Sequence, residues 1–582
     1  MPRNLLLFPI VVTGVFLVSL ALTWDWLASG YPGFGRVQWT MTTIGAALVL
    51  FSKPLTDLLI KTAGLEKEIL LRGLSKTLLG GVGLFACLHL IVSMRWGMEL
   101  DTAILHYIAF LISEHDYRPY QDIFDINMPG SYLVHIAIGK LLGYSDSGFR
   151  LANVFWLLCI TSITWLIMAR ISRMAAFAAC SIFVIFYVGG GPTLTLQRDL
   201  IGTLPIAIAV YLLLKAHTSR QPFWMPLLVG FCCGTAMMIK PHMLVALPVA
   251  LLFPALVKHG ADIFALSSVK QLGKNCAFLA LGAGLAIAPC FLWAISKGGA
   301  GAFLEMFSEF VPLYAQIDGG LQVTEEKRYF SAWSERFFQF GDRGILALTG
   351  LFGIIAALFG GSSQATRHTA LLTLAMLLAF SLYVMVPNKY WTYHWTPFLY
   401  FSCLASGLIF RPFTPGKYSA TRRLVGFGLF VFAVSSVSLP LNSVSRQLSA
   451  DWVHLPNKGR VEHLADYLER NLKPGEYIQP LDWGSDSLHA MLKAKVKIAT
   501  PFIYDFQFYH HVSNPYIQDL RKRFIKNLNS NPPKFVIDIK TKHQLSGHDV
   551  SREFPELWEF LEKFYTPVHE TENLLIFAVN RS

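Results

Sequence analysis

The chain has 582 residues, 53% of them hydrophobic and only 15% charged, with a mean hydropathy of +0.45. Soluble domains carry roughly 25% charged residues, so a water-soluble globular protein is excluded. The net charge of +12 does not point to nucleic acid, because the lysines and arginines cluster in short loops between apolar runs, where they report membrane topology.

The first element, "MPRNLLLFPIVVTGVFLVSLALTW", is a short basic start followed by an apolar run. That run is long for a signal peptide and lacks a small-x-small cleavage site, so it is expected to remain as the first membrane helix. A bilayer core takes about 20 mostly apolar residues per helix. Such runs recur at 5–23, 38–52, 77–95, 149–169, 175–190, 200–216, 223–239, 241–256, 276–296, 344–360, 369–387, 395–410 and 424–441. They predict a polytopic α-helical membrane protein with about thirteen transmembrane helices, one pair being split at Lys240-Pro241. The organisation is then a helix pair and loop over 1–76, a transmembrane module over 77–441, and a polar domain over 442–582. With the N-terminus in the cytoplasm, the inner loops collect Lys53, Lys61, Lys67, Arg72 and Lys76; Arg170 and Arg173; Lys258, Lys270 and Lys274; and Arg411, Lys417, Arg422 and Arg423. This bias fixes the orientation. The odd number of crossings puts the polar domain on the periplasmic face of a bacterial inner membrane.

Three outer loops follow from that topology. The first, 97–148, holds Glu99, Asp101, Glu114, Asp116, Asp122 and Asp125 before "SYLVHIAIGKLLGY", a segment too short and polar to span and expected to lie at the interface as an amphipathic helix. The second is "GGGPTLTLQRD", ending at Asp199, and the third is the mixed aromatic and charged stretch 297–343. "VGGGP" lacks the Gly-Lys-Ser/Thr of a phosphate loop and reads as a turn, and "SRMAAFAACS" suits close helix packing. In the polar domain, "GEYIQPLDW", "AKVKIATPF", "KFVIDIK" and "LLIFAVN" read as strands. "GRVEHLADYLERNL", "NPYIQDLRKRFIKNL" and "PELWEFLEKFY" read as amphipathic helices, giving a small α/β domain. The eight cysteines all lie in apolar segments without metal-ligand spacing. His510-His511 reads as surface, and His106 and His135 as packed or solvated.

Carboxylates at the outer boundary lie where a lipid-borne substrate presents its head group, and ionisable residues there are functional candidates. "LDTAILHYIAFLISEHDYRPYQDIFDINMPGSYL" resembles the first outer loop of GT-C glycosyltransferases that use polyprenyl-phosphate sugars, the aminoarabinose-transferase, protein O-mannosyltransferase and rhizobial galacturonosyltransferase-like group. The family shape is an acidic residue after a membrane helix, here Asp101, and an interfacial helix, here Thr102 to Ser113. A Pro119-Tyr120-Gln121-Asp122 turn and a Met128-Pro129-Gly130 segment complete it. "GFRLANVFW" with Arg150, "TLQRDLIGTLPIAIAVYLLL" with Arg198 and Asp199, "MMIKPHMLVALP" with Lys240, and "NKYWTYHWTPFLY" with Lys389, Tyr393 and His394 follow in the family's order. The resemblance covers about 77–441. Thr102 stands where the family often has a second acid, Asn127-Met128-Pro129 replaces its frequent Lys-Pro-Pro, and two helices precede the module.

The resemblance implies a membrane glycosyltransferase moving a hexosyl or pentosyl unit from a polyprenyl-phosphate donor to an extracytoplasmic glycan, lipid or protein acceptor, with inversion. Such a transfer needs a base for the acceptor hydroxyl, a role suited to Asp101, and cations for the departing phosphate, for which Arg150, Arg198, Lys240 and Lys389 stand at outer ends of spans. Snorkelling anchors occupy the same depth. Asp199 is a second catalytic candidate that holds a metal, positions the acceptor or pairs with Arg198. Tyr120, Asp122, Asn127, Tyr393 and His394 are the implied substrate contacts. No cofactor is required by the pattern; a divalent cation is the one candidate, with ligands unknown. Membrane lipids are the remaining partners. The rival reading is a transporter of lipid-linked glycans or a non-catalytic glycan-binding membrane protein. A transporter keeps its polar residues near the midplane on broken helices, whereas the span middles here are nearly uncharged. Reporter fusions after Leu441 are expected to be active only in the periplasm, and cytoplasmic activity there would invert the topology.

Overall fold

The computed structural model describes residues 79–84, 86–87, 90–91, 93–216, 224–259, 266–324, 330–334, 341–360, 362–412, 458–540 and 545–580. The spans expected at 5–23, 38–52 and 424–441 lie outside these residues, as does the 1–76 unit. Helices run over Asp146–Met168, Arg173–Gly189, Arg198–Ala216, Met225–Ile239, Ala246–His259, Leu266–Ser296, Gly341–Phe359, Gln364–Tyr383 and Thr396–Gly407. Among the described residues, five stretches are long and apolar enough to cross a membrane: Asp146–Met168, Arg198–Ala216, Pro241–Lys258, Val269–Ser296 and Gln364–Tyr383. Arg173–Gly189, Met225–Ile239 and Gly344–Phe359 are shorter apolar helices. Leucines and phenylalanines stand out from these helices, with Leu348 65% and Phe359 80% exposed. An apolar belt of this kind suits lipid rather than water.

Small residues set the helix spacing. A Cβ on Gly230 would come within 2.1 Å of the Leu279 carbonyl oxygen, and one on Gly282 within 1.9 Å of that of Leu227, so Met225–Ile239 and Leu266–Ser296 touch backbone to backbone. The alanines of Arg173–Gly189 do the same work: Ala175 and Ala179 are fully buried, and a Cβ on Gly407 would meet both residues. Lys240 is extended, with φ −150° and ψ 116°, and the Pro241–Val245 turn follows it, which separates the two helices expected there. The 276–296 expectation starts late, since the helix begins at Leu266. The 395–410 stretch is α-helical only over Thr396–Gly407, between 3-10 turns at Thr392–Trp395 and Leu408–Phe410.

Both loop helices form, over Asp101–Glu114 and Pro129–Leu142. The first is buried along Thr102 to Ile112, so it lies inside the protein rather than on lipid. What covers it is the C-terminal domain. Tyr107 and Tyr117 donate their hydroxyls to the Val496 and Ile498 carbonyls, both at 2.9 Å, and the Phe124 N–H donates to the Pro501 carbonyl at 2.8 Å. Asp146, opening the next helix, accepts from His489 Nε2 at 2.9 Å and Lys493 Nζ at 3.3 Å.

The C-terminal domain is a five-stranded sheet. After the two-residue strand β1 (Gln322–Val323) in the third loop, 297–343, come β2 (Tyr477–Leu481), β3 (Lys497–Ile498), β4 (Phe535–Ile539), β5 (Ser546–Gly547), β6 (Tyr565–Glu570) and β7 (Leu574–Val579). The sheet order is β3-β2-β4-β7-β6, parallel among the first three and antiparallel beyond, with Ile478 opposite Phe535 and Ile537 opposite Ile576. β1 and β5 pair separately, joining the third loop to this domain. Helices Lys458–Asn471, Pro515–Ser530 and Pro555–Phe564 lie where expected, while helix Asp486–Lys493 and strand β6 were not foreseen.

Burial pushes the Asp538 carboxyl on β4 up to about 6, with Lys540 opposing and Asp482 adding to the shift. An acid whose folded pKa exceeds its unfolded value of about 3.9 weakens the fold. The penalty is absent below the lower value, grows between the two, and is constant above the higher one. Asp538→Asn is therefore expected to raise the thermal midpoint at about pH 7.5 and leave it unchanged near pH 3.5. Equal shifts in thermal scans at both pH values would contradict this.

Candidate active site

The acidic loop, the starts of two helices and two turns meet at one end of the helical bundle. Asp101 is in the first turn of its helix, where a carboxylate faces the positive helix end. Its Oδ2 accepts from Arg198 Nη2 and, at 3.1 Å, from the Tyr393 hydroxyl. Among the described residues its Oδ1 carries no hydrogen bond, and the side chain is 23% exposed. Arg198 opens its own helix and also donates Nη1 to the Asn127 side-chain oxygen. The Asn127 amide nitrogen donates to both oxygens of Asp125, at 2.9 and 2.8 Å. Asp125 is fully buried and accepts further from Tyr132 at 2.7 Å and from Tyr504 at 2.5 Å. Tyr504 belongs to the C-terminal domain.

A second pair adjoins the first. Lys240, in the extended break between two helices, donates to both oxygens of Asp199 at 2.9 and 3.0 Å, and Tyr383 donates to Asp199 Oδ1 at 2.5 Å. Lys240 Nζ stands 5.4 Å from the Tyr383 ring centre and 5.7 Å from that of Tyr393, so it touches both groups. His394 packs against Tyr393 with ring centres 4.8 Å apart. Tyr120 donates to the Asn127 carbonyl at 2.7 Å.

Three of the residues expected here lie differently. Arg150 is buried and donates to the carbonyls of Trp96 and Gly97 and to the Thr195 hydroxyl. Lys389 donates to the carbonyls of Tyr314, at 3.0 Å, and Ile317, and stands 4.1 Å above the Tyr314 ring. Asp122 forms a bidentate pair with the half-exposed Arg118. His510 and His511, expected at the surface, are buried and contact the Leu321 and Leu313 carbonyls of the third loop. His106 and His135 are packed together, Nδ1 to Nδ1 at 3.4 Å.

Sequence reading missed Asp125 as a site residue, together with Tyr132, Tyr383, Tyr504 and His242. Arg198 Nε, His394 Nδ1 and His242 Nδ1 are buried without a hydrogen-bond partner among the described residues. Buried polar atoms left unpaired are costly. Leu100, Tyr120, Leu196, Asn388 and Tyr390, all beside site residues, have positive φ. Each such non-glycine residue costs about 1–3 kcal/mol and persists only where its surroundings over-determine it. Among the described residues, no three His, Cys, Asp or Glu side chains are grouped to hold a metal ion.

Residues 129–293 match the family described as Dolichyl-phosphate-mannose-protein mannosyltransferase. The fold is similar to that of ArnT from Cupriavidus metallidurans bound to undecaprenyl phosphate, at 11% identity and a TM-score of 0.55, over 86% of this chain and 97% of that one. The apo state of the same protein gives 12% and 0.52 with the same coverage. The archaeal oligosaccharyltransferase AglB from Archaeoglobus fulgidus, in complex with an inhibitory peptide and a dolichol-phosphate, gives 12% and 0.44 over 80% of this chain and 69% of that one. No curated protein matches the sequence. The likeness to GT-C glycosyltransferases read from the outer-loop motifs thus recurs in the family match and in the ArnT-like fold.

Asp199 and Lys240 are 0% and 4% exposed, and removing one partner of a buried pair strands the other charge. Lys240→Met is expected to destabilise the protein by about 3–5 kcal/mol, and Lys240→Met combined with Asp199→Leu to recover most of that loss. Denaturation in detergent checks this, and a double variant as unstable as the single one would contradict it.

Proposed function

We propose that the chain is a membrane glycosyltransferase that takes a sugar from a polyprenyl-phosphate donor and passes it, with inversion, to a glycan, lipid or protein acceptor on the outer face of a bacterial inner membrane. The observation that carries this reading is the junction of Asp101–Arg198–Asn127 with Asp199–Lys240 at one end of an apolar bundle. Support comes from the ArnT fold, solved with undecaprenyl phosphate, and from a family whose description names a polyprenyl-phosphate sugar. The topology belongs to the same proposal: thirteen crossings, an inner N-terminus, and the C-terminal sheet on the outer side, against the loops that hold the charged cluster.

In this reading the acceptor hydroxyl gives its proton to Asp101 Oδ1 as its oxygen attacks the anomeric carbon. The transition state is oxocarbenium-like, so the carboxylate also stabilises it. Arg198 Nε and Lys240 face the bond that breaks and take up the charge developing on the leaving phosphate. Asp199 and Tyr383 hold the Lys240 ammonium in place. Tyr120, Asn127, Tyr393 and His394 shape the donor and acceptor pocket. Arg150 and Lys389 act one step back, fixing the backbone at 96–97 and 314–317, and Asp122 fixes its own turn.

The test uses purified protein and a panel of undecaprenyl-phosphate-linked hexoses and pentoses, with release of undecaprenyl phosphate followed by mass spectrometry. Surface glycolipids and glycoproteins from cells with and without the gene identify the sugar and acceptor. Asp101→Asn keeps the shape and removes the base, so transfer is expected to fall at least about 100-fold with abundance unchanged. Lys140→Gln, at an exposed position, is expected to behave as the wild type. An Asp101→Asn protein with near wild-type transfer would remove the base assignment.

A further inference from the structure

The C-terminal domain reaches the charged cluster through one side chain. Tyr504 lies 379 residues from Asp125 in sequence, yet its hydroxyl donates to Asp125 Oδ1 at 2.5 Å inside the protein. Among the described residues no lysine or arginine pairs with Asp125; its side-chain partners there are Asn127, Tyr132 and Tyr504. A buried carboxylate held only by neutral donors needs all of them. Its charge in turn decides how Asn127 is turned: the amide nitrogen faces Asp125, so the amide oxygen faces Arg198. Arg198 then spans Asn127 and Asp101. Alternating polarity runs unbroken from a tyrosine of the sheet domain to the carboxylate placed as the base.

The same segment supports the other side of the site. His510 and His511 contact the carbonyls of Leu321 and Leu313, and Phe506 stands 5.9 Å from the Tyr314 ring. Carbonyls of that turn, Tyr314 and Ile317, hold Lys389. Residues 504–511 therefore brace two separate outer loops where they approach the cluster.

We propose that the C-terminal domain is a working part of the transfer site, with Tyr504 as a positioning residue that sets Asp101 through Asp125, Asn127 and Arg198. The inference rests on the glycosyl-transfer reading. Loss of the Tyr504 hydroxyl leaves Asp125 short of a donor, frees Asn127 to turn, and removes one of the two supports of the Arg198 fork. The sites for donor and acceptor keep their walls, so the turnover step suffers rather than binding.

The experiment compares full-length wild type, Tyr504→Phe and Tyr107→Phe in lipid nanodiscs, with the undecaprenyl-phosphate sugar that the wild type uses. Tyr107 also gives one hydroxyl across the same domain boundary, to the Val496 carbonyl, but takes no part in the Asp125 chain. Both variants lose one hydrogen bond between the domains, and thermal midpoints measured alongside show that each stays folded. In Tyr504→Phe, kcat is expected to fall at least about tenfold with the donor KM within about twofold, while Tyr107→Phe keeps its kcat. Asp125→Asn is expected to lower kcat at least as far, and adding Tyr504→Phe to it to cost little more, because the two act through one chain. Equal kcat in Tyr504→Phe and Tyr107→Phe would reduce Tyr504 to a docking contact and overturn the proposal. A wild type that releases undecaprenyl phosphate from no donor would overturn the glycosyl-transfer reading, and this inference with it.

Discussion

Charges drawn out of water at the end of a membrane bundle must be matched atom by atom, and that requirement determines how the loops at that end of this protein sit. Asp199 is fully buried, and so is Asp125. An uncompensated ion in such a place costs several kcal/mol, enough to undo a marginally stable fold. Lys240 answers one and a ring of neutral donors answers the other. Arg198 connects the two groups, because its fork reaches Asp101 and Asn127 from the position next to Asp199. Once those pairs are made, the acidic loop, the start of the Arg198–Ala216 helix, the Lys240 break and the Tyr393 turn have little freedom left.

The rest of the architecture serves that matching. Close helix contacts through Gly230, Gly282 and Gly407 leave the bundle interior to apolar side chains, so ionisable groups gather at the end where irregular backbone can carry them. Positive φ at Leu100, Leu196, Asn388 and Tyr390 is tolerated there because the neighbouring side chains are already pinned. The sheet domain closes over this end. It covers the Asp101–Glu114 helix, which would otherwise expose a largely apolar surface, and pins the third loop through β1 and β5. Burying charged groups in this way limits their contact with water, which strengthens the electrostatic contacts among them.

Much of this was legible from residues in order along the chain. Hydropathy is a local property, so the helices at Asp146–Met168 and Arg198–Ala216 stand out in any window. Asp101, Arg198, Asp199, Lys240 and Tyr393 each sit beside the end of an apolar run, and the structure brings them together. Arg150 and Lys389 have the same address in sequence, yet Arg150 donates to two backbone carbonyls and the Thr195 hydroxyl, and Lys389 to the carbonyls of Tyr314 and Ile317. Position at a helix end does not say which way a cation turns. Strand β6 escaped notice because an edge strand exposed along nearly its whole length has no alternation of apolar residues, and Pro567 interrupts it further. Helix Asp486–Lys493 is only eight residues long and begins three residues after the stretch read as a strand. Tyr504 and Asp125 could not be paired from sequence, since nothing local marks a contact that the tertiary fold alone creates.

In the proposed site Arg198 and Lys240 receive the phosphate of a polyprenyl carrier beside Asp101. A cryo-electron microscopy structure of the protein with undecaprenyl phosphate bound tests it most directly. Phosphate oxygens are expected within about 2.7–3.2 Å of Arg198 Nε and Lys240 Nζ, with Asp101 Oδ1 open toward the same space. A phosphate held instead against Arg150 or Lys140, away from Asp101, would contradict it.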